Sequence, residues 1–276
     1  MEARGRRAAM GLFDRWRKPS PPPRRLLSYQ VANLQGRGTR DYQEDSFAFA
    51  NALDVTEIRR RGLLAIVADG MGGLRDGRLV SQTCVAGLLS TFSTLEPKAD
   101  LPDQLRRWVE ETNQTLFRQF QGEGGTTLAA CLCFQEALWW ISVGDSGLYL
   151  LRDGGLFRLN VEQNYLTQLR LEAIRAGRLD PTVGLDDPDG PRLSAFLGME
   201  QVDAPDRSLR PLPLQDGDTL LLCSDGISGV LDEAELRDCL EQDSAEGACG
   251  RLEAAIRGQA RVYQDNYTAL VIKCGY

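Results

Sequence analysis

The sequence predicts an α+β fold in a single domain, and three features of its apolar pattern indicate this class. Apolar runs of strand length lie near both ends of the chain. Two segments with helical spacing follow the third of these runs, and a series of strand-length runs begins at Gly124. Helices inserted as a block, instead of alternating with strands, favour α+β over a doubly wound α/β fold.

The first half of the domain is predicted to contain three strands and two helices. Leu27–Ala32 and Ser46–Ala50 are interpreted as short strands around a polar turn, and the continuous apolar run Leu63–Ala68 as a buried strand. Residues 78–92 then place an apolar side chain every three or four positions. A second helix with the same spacing is predicted after Asp100.

The second half is predicted to be richer in strands. From Gly124 onward, tight turns separate four strand-length runs, which predict one antiparallel meander, with the early and late strands in a second sheet. Residues 177–192, rich in Asp, Pro and Gly, are predicted to form a long exposed loop. A strand (TLLLCSD), helices near 233–242 and 245–257, and a final strand (YTALVIKC) complete the domain.

Charge divides the chain into a leader, residues 1–26, and a domain, residues 27–276. The first 25 residues hold eight Arg or Lys against two acids, so they carry +6 and the rest carries −13 of the total of −7. We interpret the Pro-rich leader as a flexible tail, with contact to an acidic partner or a membrane as the alternative. Such an acidic domain is not expected to bind nucleic acid.

The composition favours a cytoplasmic location. No run of eighteen apolar residues is present, so no transmembrane segment is expected, and the N-terminus lacks the apolar stretch of a signal peptide. The seven cysteines include no Cys-x-x-Cys pair, so neither a zinc site nor a disulfide framework is predicted.

The chain contains no histidine. This absence excludes Ser-His-Asp and Cys-His catalysis, histidine phosphotransfer and His-ligated zinc. Metal chemistry in this chain must therefore use oxygen ligands, which favours Mg²⁺, Mn²⁺ or Ca²⁺.

Carboxylates recur at the ends of the predicted strands. The positions are Glu44-Asp45, Asp69, Asp145, Asp225 and Asp265. A single Asp-Gly pair is an ordinary turn signal. Several carboxylates at one rim repel one another, however, and divalent cations relieve that repulsion. We therefore predict a shared metal site.

Six motifs in order resemble those of the metal-dependent protein serine/threonine phosphatases of type 2C, over roughly residues 28–273. They are R-D-Y-Q-E-D (40–45), V-A-D-G-M-G-G (67–73), G-T-T-L (125–128), V-G-D-S (143–146), S-D-G-I (224–227) and D-N-Y-T (265–268). The resemblance implies a four-layer αββα sandwich, two antiparallel sheets flanked by helices. It also implies a centre of two Mn²⁺ or Mg²⁺ ions at one end.

The resemblance assigns roles to the acids. Asp69 is implied to bridge both metals, and the Gly70 carbonyl to bind one of them. Asp225 and Asp265 are implied to bind the other ion. The reaction implied is hydrolysis of phosphoserine and phosphothreonine in proteins by a hydroxide that bridges the two metals.

Four further residues receive implied roles. Glu44 and Asp45 are expected to act on the metals through bound water, and Asp145 to contribute to a third metal site. Arg40 is expected to bind the substrate phosphate, because a guanidinium group matches phosphate oxygens in a bidentate manner.

The sequence departs from the family pattern at three places. The chain has Arg78 where Glu is usual, Gly147 where Arg is common, and Glu162-Gln163-Asn164 where Asp-His-Ser is usual. None is an implied metal ligand, so we expect catalysis to survive in a divergent branch. Residues 160–198 are expected to form a mobile flap that begins with a helix and supplies no metal ligand.

The function predicted is that of a monomeric phosphatase acting on phosphoprotein substrates, with a cognate Ser/Thr kinase. One alternative is a phosphatase-like regulatory or binding domain with weak turnover. A second is a partner-switching phosphatase of anti-sigma-factor antagonists, and a third is a calcium-binding β-sandwich, which has no need of Arg40.

Overall fold

Eleven strands and seven helices form within residues 26–71, 76–97 and 100–276, the ranges that the computed structural model describes. The strands are β1 (Ser28–Gly36), β2 (Ser46–Ala50), β3 (Leu63–Ala68), β4 (Leu128–Phe134), β5 (Ala137–Val143), β6 (Gly147–Arg152), β7 (Gly155–Arg158), β8 (Asp206–Arg207), β9 (Leu212–Pro213), β10 (Thr219–Cys223) and β11 (Tyr267–Gly275). The helices are α1 (Val55–Arg61), α2 (Gly77–Phe92), α3 (Leu101–Phe120), α4 (Tyr165–Arg175), α5 (Asp225–Ser228), α6 (Glu233–Leu240) and α7 (Ala245–Gly258). Apart from its last residue, the predicted leader lies outside the described ranges.

The strands form two antiparallel sheets. The first has the order β1-β11-β10-β6-β7, and the second has the order β2-β3-β4-β5-β8 with β9 also paired to β5. The β1–β11 ladder runs from Ser28 opposite Gly275 to Gly36 opposite Tyr267. The first and last strands of the domain therefore hold each other in place.

Alternate residues of the inner strands face two different apolar layers. In β3, Leu63, Ala65 and Val67 lie between the two sheets, whereas the residues that alternate with them face the helices. The same division holds in β10, where Leu220 and Leu222 lie between the sheets. Burial on both faces explains why these strands are continuously apolar.

Helices cover the outer face of each sheet. The α2 and α3 helices pack on the second sheet through buried residues such as Leu88 and Leu105. The α6 and α7 helices pack on the first sheet, with Leu236 and Leu252 in the contact. These four layers confirm the predicted αββα sandwich.

The prediction of a single meander from Gly124 onward is wrong. Strands β4 and β5 belong to the second sheet, whereas β6 and β7 belong to the first. The chain crosses at Gly144, whose φ of +97° favours glycine and where a Cβ atom would lie 2.9 Å from Thr127. An alternating apolar pattern does not indicate which sheet a strand joins. The crossing places Asp145 at the seam between the sheets.

Other elements differ from the prediction in extent. Strand β1 continues to Gly36, beyond the predicted end at Ala32. Helix α1 was not predicted, because it is short and buries no residue. The Asp54 carboxylate caps it by accepting the backbone N–H groups of Thr56 and Glu57. The predicted loop 177–192 contains only turns, as expected.

All seven cysteines are buried and free. In the described ranges, no helix combines the length and the apolar character needed to cross a membrane.

Candidate metal centre

The sandwich brings the strand-end carboxylates together at one end. Burial raises the pKa of Asp69 well above its usual value, and the nearby Asp45, Asp225 and Asp145 carboxylates raise it further. Burial likewise raises the pKa of Asp145 to about 7, with Asp225 adding to the shift. The acids predicted to share a site therefore interact with one another.

Asp45 is the most buried of these acids, with 4% of its surface exposed. Its Oδ2 atom accepts hydrogen bonds from Ser224 Oγ at 2.8 Å and Thr268 Oγ1 at 2.7 Å. Its Oδ1 atom is buried without a hydrogen-bond partner in the described residues. Burial raises the pKa of Asp45 to about 6, although both hydroxyls lower it.

The loop that follows β3 is held by the G-T-T-L motif. The Asp69 carbonyl accepts hydrogen bonds from Thr126 Oγ1 at 2.8 Å and from the backbone N–H of Thr127 at 2.9 Å. Thr127 Oγ1 in turn contacts Ser146 Oγ at 2.7 Å. At Gly70, a Cβ atom would lie 2.3 Å from the Gly77 carbonyl oxygen. Asp69 is thus fixed through its backbone.

Asn266 connects the Arg40 loop to the start of β11. Its Nδ2 atom donates to the carbonyl groups of Arg37 at 2.9 Å and Tyr42 at 3.0 Å. Its Oδ1 atom accepts the backbone N–H of Glu44 at 2.7 Å. No role for Asn266 follows from the sequence alone, although it lies in the D-N-Y-T motif. Its side chain shapes the loop that carries Arg40 and Glu44.

Arg40 and Asp265, predicted to bind phosphate and metal respectively, contact each other. Arg40 Nη2 lies 2.6 Å from Asp265 Oδ2, and both side chains are about half exposed. This hydrogen bond raises the pKa of Arg40. In the described structure, each of these two side chains thus serves as the other's ionic partner.

Two acids lie at the solvent side of the cluster. Asp225 begins the short α5 helix and is exposed, yet the surrounding protein removes enough water to raise its pKa, and Asp265 adds to this effect. Burial raises the pKa of Glu44, and Arg40 opposes that shift.

The cluster has the chemistry of a divalent-cation site, although its side chains contact one another. Among residues 26–71, 76–97 and 100–276, no three Asp, Glu or Cys side chains already surround a common point as a metal site. The unpartnered Oδ1 atom of Asp45 and the raised pKa values of Asp69 and Asp145 both favour an added cation. All the donors are oxygen atoms, as Mg²⁺ and Mn²⁺ prefer.

Comparison with known protein families shows which family the chain belongs to. The family described as Protein phosphatase 2C matches residues 43–248, well over half of the chain. The chain belongs to the protein phosphatase 2C family.

Bacterial phosphatases are among the relatives of this phosphatase 2C domain. Serine/threonine protein phosphatase PstP of Mycobacterium tuberculosis is 32% identical over 214 residues, which cover 75% of this chain and 40% of PstP. Serine/threonine phosphatase stp of Listeria welshimeri is 30% identical over 220 residues, 76% of this chain and 84% of stp. The chain therefore spans less than half of PstP but most of stp.

A solved structure extends the likeness to three dimensions. The catalytic domain of PstP in complex with two manganese ions matches with a TM-score of 0.70 at 30% identity, covering 91% of this chain and all of that domain. These findings confirm the predicted family and fold, and they are consistent with the predicted Mn²⁺ or Mg²⁺. The roles of individual residues stay a prediction.

The turn that precedes Gly147 is held by an arginine from the neighbouring strand β7. A Cβ atom at this position would lie 2.4 Å from the ring of Tyr149. Arg158, paired with Tyr149 across β6 and β7, lies over that ring at 5.4 Å. Its Nη2 atom donates to the Asp145 carbonyl at 2.7 Å. A guanidinium group thus holds the Asp145 turn, although it comes from a different position.

The departure at residues 162–164 belongs to the same region. Glu162 forms a salt bridge with Arg158 and accepts a hydrogen bond from Asn164 Nδ2 at 2.7 Å. Gln163 Oε1 accepts the Gly144 backbone N–H at 3.0 Å, and the Gln163 backbone N–H donates to the Gly144 carbonyl at 2.8 Å. These contacts support the crossing that positions Asp145.

The remaining departure leaves α2 intact. Arg78 is exposed near the start of that helix, whose residues Val80, Cys84 and Leu88 are fully buried. The Glu44 carboxylate lies against Gly77, where a Cβ atom would come within 2.9 Å of it.

The predicted flap, residues 160–198, begins with α4 and returns to the core. Asp180 accepts hydrogen bonds from Thr182, and Asp187 accepts one from the backbone N–H of Asp189. Leu197 is fully buried and pairs with Thr126 beside the Asp69 loop. These acids stabilise local turns; the mobility of the segment stays a prediction.

Proposed function

We propose that this chain hydrolyses phosphoserine and phosphothreonine in proteins at the carboxylate cluster, with two divalent cations bound there. The observation that carries the proposal is the excess of acids over cations. Within the described ranges, one salt bridge reaches the cluster, between Arg40 and Asp265. Without metal, burial raises the pKa values of Asp69 and Asp225, and the negative charge of neighbouring carboxylates raises them further.

The residues fit the roles that the family resemblance implies. Asp69, the Gly70 carbonyl, Asp225 and Asp265 would hold the two core ions. When bound, divalent cations would supply positive charge to phosphate oxygens and lower the pKa of a water molecule, so that hydroxide is available to attack phosphorus near neutral pH. The carboxylates restrict such ions to one end of the sandwich.

The outer part of the site would be completed by further acids. Glu44 and Asp45 would act on the core ions through water, and Asp145 would serve a third, weaker ion. Asp45 suits this role because two hydroxyls hold one of its carboxylate oxygens and leave the other without a partner.

Arg40 would bind and orient the phosphate. Its guanidinium group lies beside Asp265 and is half exposed, so it is reachable from solvent. A planar guanidinium donates two parallel hydrogen bonds to phosphate and neutralises charge that builds up on its oxygens during attack. The leaving alkoxide must take a proton from water or from a protonated carboxylic acid, since Met71 has no proton to give.

We further propose that the chain works in the cytoplasm as a monomer, opposing a cognate Ser/Thr kinase. Seven free, buried cysteines suit a reducing compartment. The relatives are named serine/threonine phosphatases, which supports phosphoproteins as the substrate class.

Hydrolysis of p-nitrophenyl phosphate and of a phosphothreonine peptide, each with Mn²⁺ and with excess EDTA, tests the proposal. We expect turnover of both substrates with Mn²⁺ and none in EDTA. Full activity in EDTA contradicts the metal mechanism. Lack of turnover with any divalent cation favours a regulatory domain that only binds phosphoproteins.

A further inference from the structure

A basic cavity lies beside the loop that carries Arg40. Its volume is about 430 Å³, and it is formed by residues 35–38, the end of α7 and the segment that leads to β11. Its charged lining residues are Arg37, Arg257, Arg261 and Glu253. Three guanidinium groups therefore face a space that contains one carboxylate.

The arginines of this cavity are only partly neutralised. Arg257 Nη2 pairs with Glu253 Oε1 at 2.5 Å, and Arg37 Nη1 donates to the Asp41 carbonyl at 3.3 Å. Arg261 is exposed and forms no salt bridge with any residue in the described ranges. This local excess of positive charge, in a domain of net charge −13, attracts anionic groups to the cavity.

Contacts between two loops fix the position of the cavity relative to Arg40. The backbone N–H of Thr39 donates to the Gln264 carbonyl at 2.8 Å, and Gln264 N–H donates to Thr39 Oγ1 at 3.1 Å. Gly38 has a φ of +60°, and a Cβ atom there would lie 2.3 Å from the same carbonyl oxygen. The backbone N–H of Arg40 donates to the Arg37 carbonyl at 3.4 Å, so these residues lie at the two ends of one turn, with Cα atoms less than about 7 Å apart.

We propose that this cavity binds an anionic side chain of the substrate, a carboxylate or a second phosphate, about three residues from the phosphorylated one. The inference rests on the proposed function. An extended peptide spans about 3.3 Å per residue, so a side chain two or three residues from the phosphorylated one can reach past a turn of this size to the cavity. Guanidinium groups recognise both anions, and a small phosphate ester is too short to reach them. Acidic or multiply phosphorylated segments are therefore the preferred substrates.

Phosphothreonine peptides that differ at one position test this inference. The variable residue, three positions to either side, is phosphoserine, Glu, Gln or Lys. For the wild-type chain with Mn²⁺, we expect kcat/KM to fall in that order, with Glu on the order of five-fold above Gln. The preference should fade in about 1 M salt, where the screening length is only about 3 Å.

Charge reversal at Arg261 separates recognition from general electrostatics. We expect Arg261→Glu to remove the preference, because the cavity is then lined by two arginines and two glutamates, and Arg261→Gln to weaken it. Arg210→Glu is the matched control, because Arg210 is exposed between β8 and β9 and does not line the cavity. This control should keep the wild-type order, and all variants should hydrolyse p-nitrophenyl phosphate at the wild-type rate.

The outcomes distinguish the two proposals. A wild-type chain that shows no preference among the peptides, or a preference that survives Arg261→Glu, overturns the inference about the cavity. Failure of the wild-type chain to hydrolyse every peptide and p-nitrophenyl phosphate with Mn²⁺ overturns the proposed function itself.

Discussion

Strand β10 has an aspartate near each end, and the two aspartates have different charged neighbours. Asp218, before the strand, is 1% exposed and is bound by Arg152 through two hydrogen bonds, Nε to Oδ1 at 2.7 Å and Nη2 to Oδ2 at 2.6 Å. The Gln215 backbone N–H adds a third at 2.7 Å. Asp225, after the strand, interacts instead with the other acids.

The contrast separates structural acids from functional ones. At the Asp218 end, the protein supplies its own cation, so the buried charge is neutralised within the fold. At the Asp225 end, several carboxylates share the single salt bridge between Arg40 and Asp265 within the described residues. We propose that cations from solution balance that end, as the repulsion between its carboxylates favours.

The largest expected effects come from one substitution at each end. Asp69→Asn should lower activity on the order of 10³-fold, because a neutral amide weakens cation binding worth several kcal/mol at the transition state. Asp218→Asn should instead lower the free energy of unfolding by about 3 kcal/mol, because Arg152 loses its buried partner. Hydrolysis of p-nitrophenyl phosphate and urea unfolding in EDTA measure the two effects.

The two substitutions, Asp69→Asn and Asp218→Asn, should also change the stability of the metal-free chain in opposite directions. Without metal, Asp69→Asn should be at least as stable as the wild type, since it removes a charge from a crowded cluster. Folded Asp218→Asn should keep wild-type kcat. An active Asp69→Asn chain, or an inactive but folded Asp218→Asn chain, shows that the division between the two ends is wrong.

Arg40→Ala should have the next largest effect. Loss of the guanidinium is expected to lower kcat/KM by about 10- to 10³-fold, because charged hydrogen bonds to phosphate are lost. Arg40→Lys should recover little, since an ammonium group does not reproduce bidentate contact. Steady-state kinetics with p-nitrophenyl phosphate measure this change, and unchanged kinetics mean that another residue holds the phosphate.

Asp145→Ala is expected to have a smaller effect. The two core ions should still bind, because Asp145 is assigned to a third site, while turnover falls about 10-fold or more. Isothermal titration with Mn²⁺ gives the number of ions, and kcat gives the turnover. Loss of the core ions in this variant contradicts the assigned role.

The acidic end should also make the metal-free chain less stable as the pH rises. Burial raises the pKa of Asp45 to about 6 and that of Asp145 to about 7, above their unfolded values near 4. The folded chain therefore binds more protons than the unfolded chain over this interval, so stability is greatest at its low end. Each contribution is lost as the pH rises through the folded pKa.

Thermal unfolding in EDTA between about pH 5 and pH 7.5 measures this loss of stability, the smallest of the expected effects. We expect the melting temperature to decrease with pH, less steeply in Asp145→Asn, and Mn²⁺ to remove most of the decrease. A melting temperature that rises across this range in the metal-free wild type shows that the acids are not crowded as described.

The acids of the site were predictable from the sequence, because each lies next to an apolar run of strand length. Each of three acids comes within two residues of the end of a strand: Asp69 after β3, Asp145 after β5 and Asp225 after β10. The order and spacing of the six motifs add information that a single Asp-Gly pair lacks. The αββα layers follow from the same runs together with the resemblance.

The supporting contacts were not predictable in the same way. Arg158 reaches the Asp145 turn because β6 and β7 pair with Tyr149 opposite Arg158, and a register of this kind cannot be read from one strand alone. The Asn266 clamp joins residues more than 220 positions apart in the chain. The split of the predicted meander depends on one glycine whose φ is positive.

Isothermal titration of the metal-free chain with Mn²⁺, alongside Asp69→Asn and Asp218→Asn, tests the central claim most directly. We expect two ions to bind per wild-type chain, binding to be lost in Asp69→Asn, and folded Asp218→Asn to bind as the wild type does. Absence of saturable binding to the wild type, or equal binding by Asp69→Asn, contradicts the assignment of the acidic end as a metal centre.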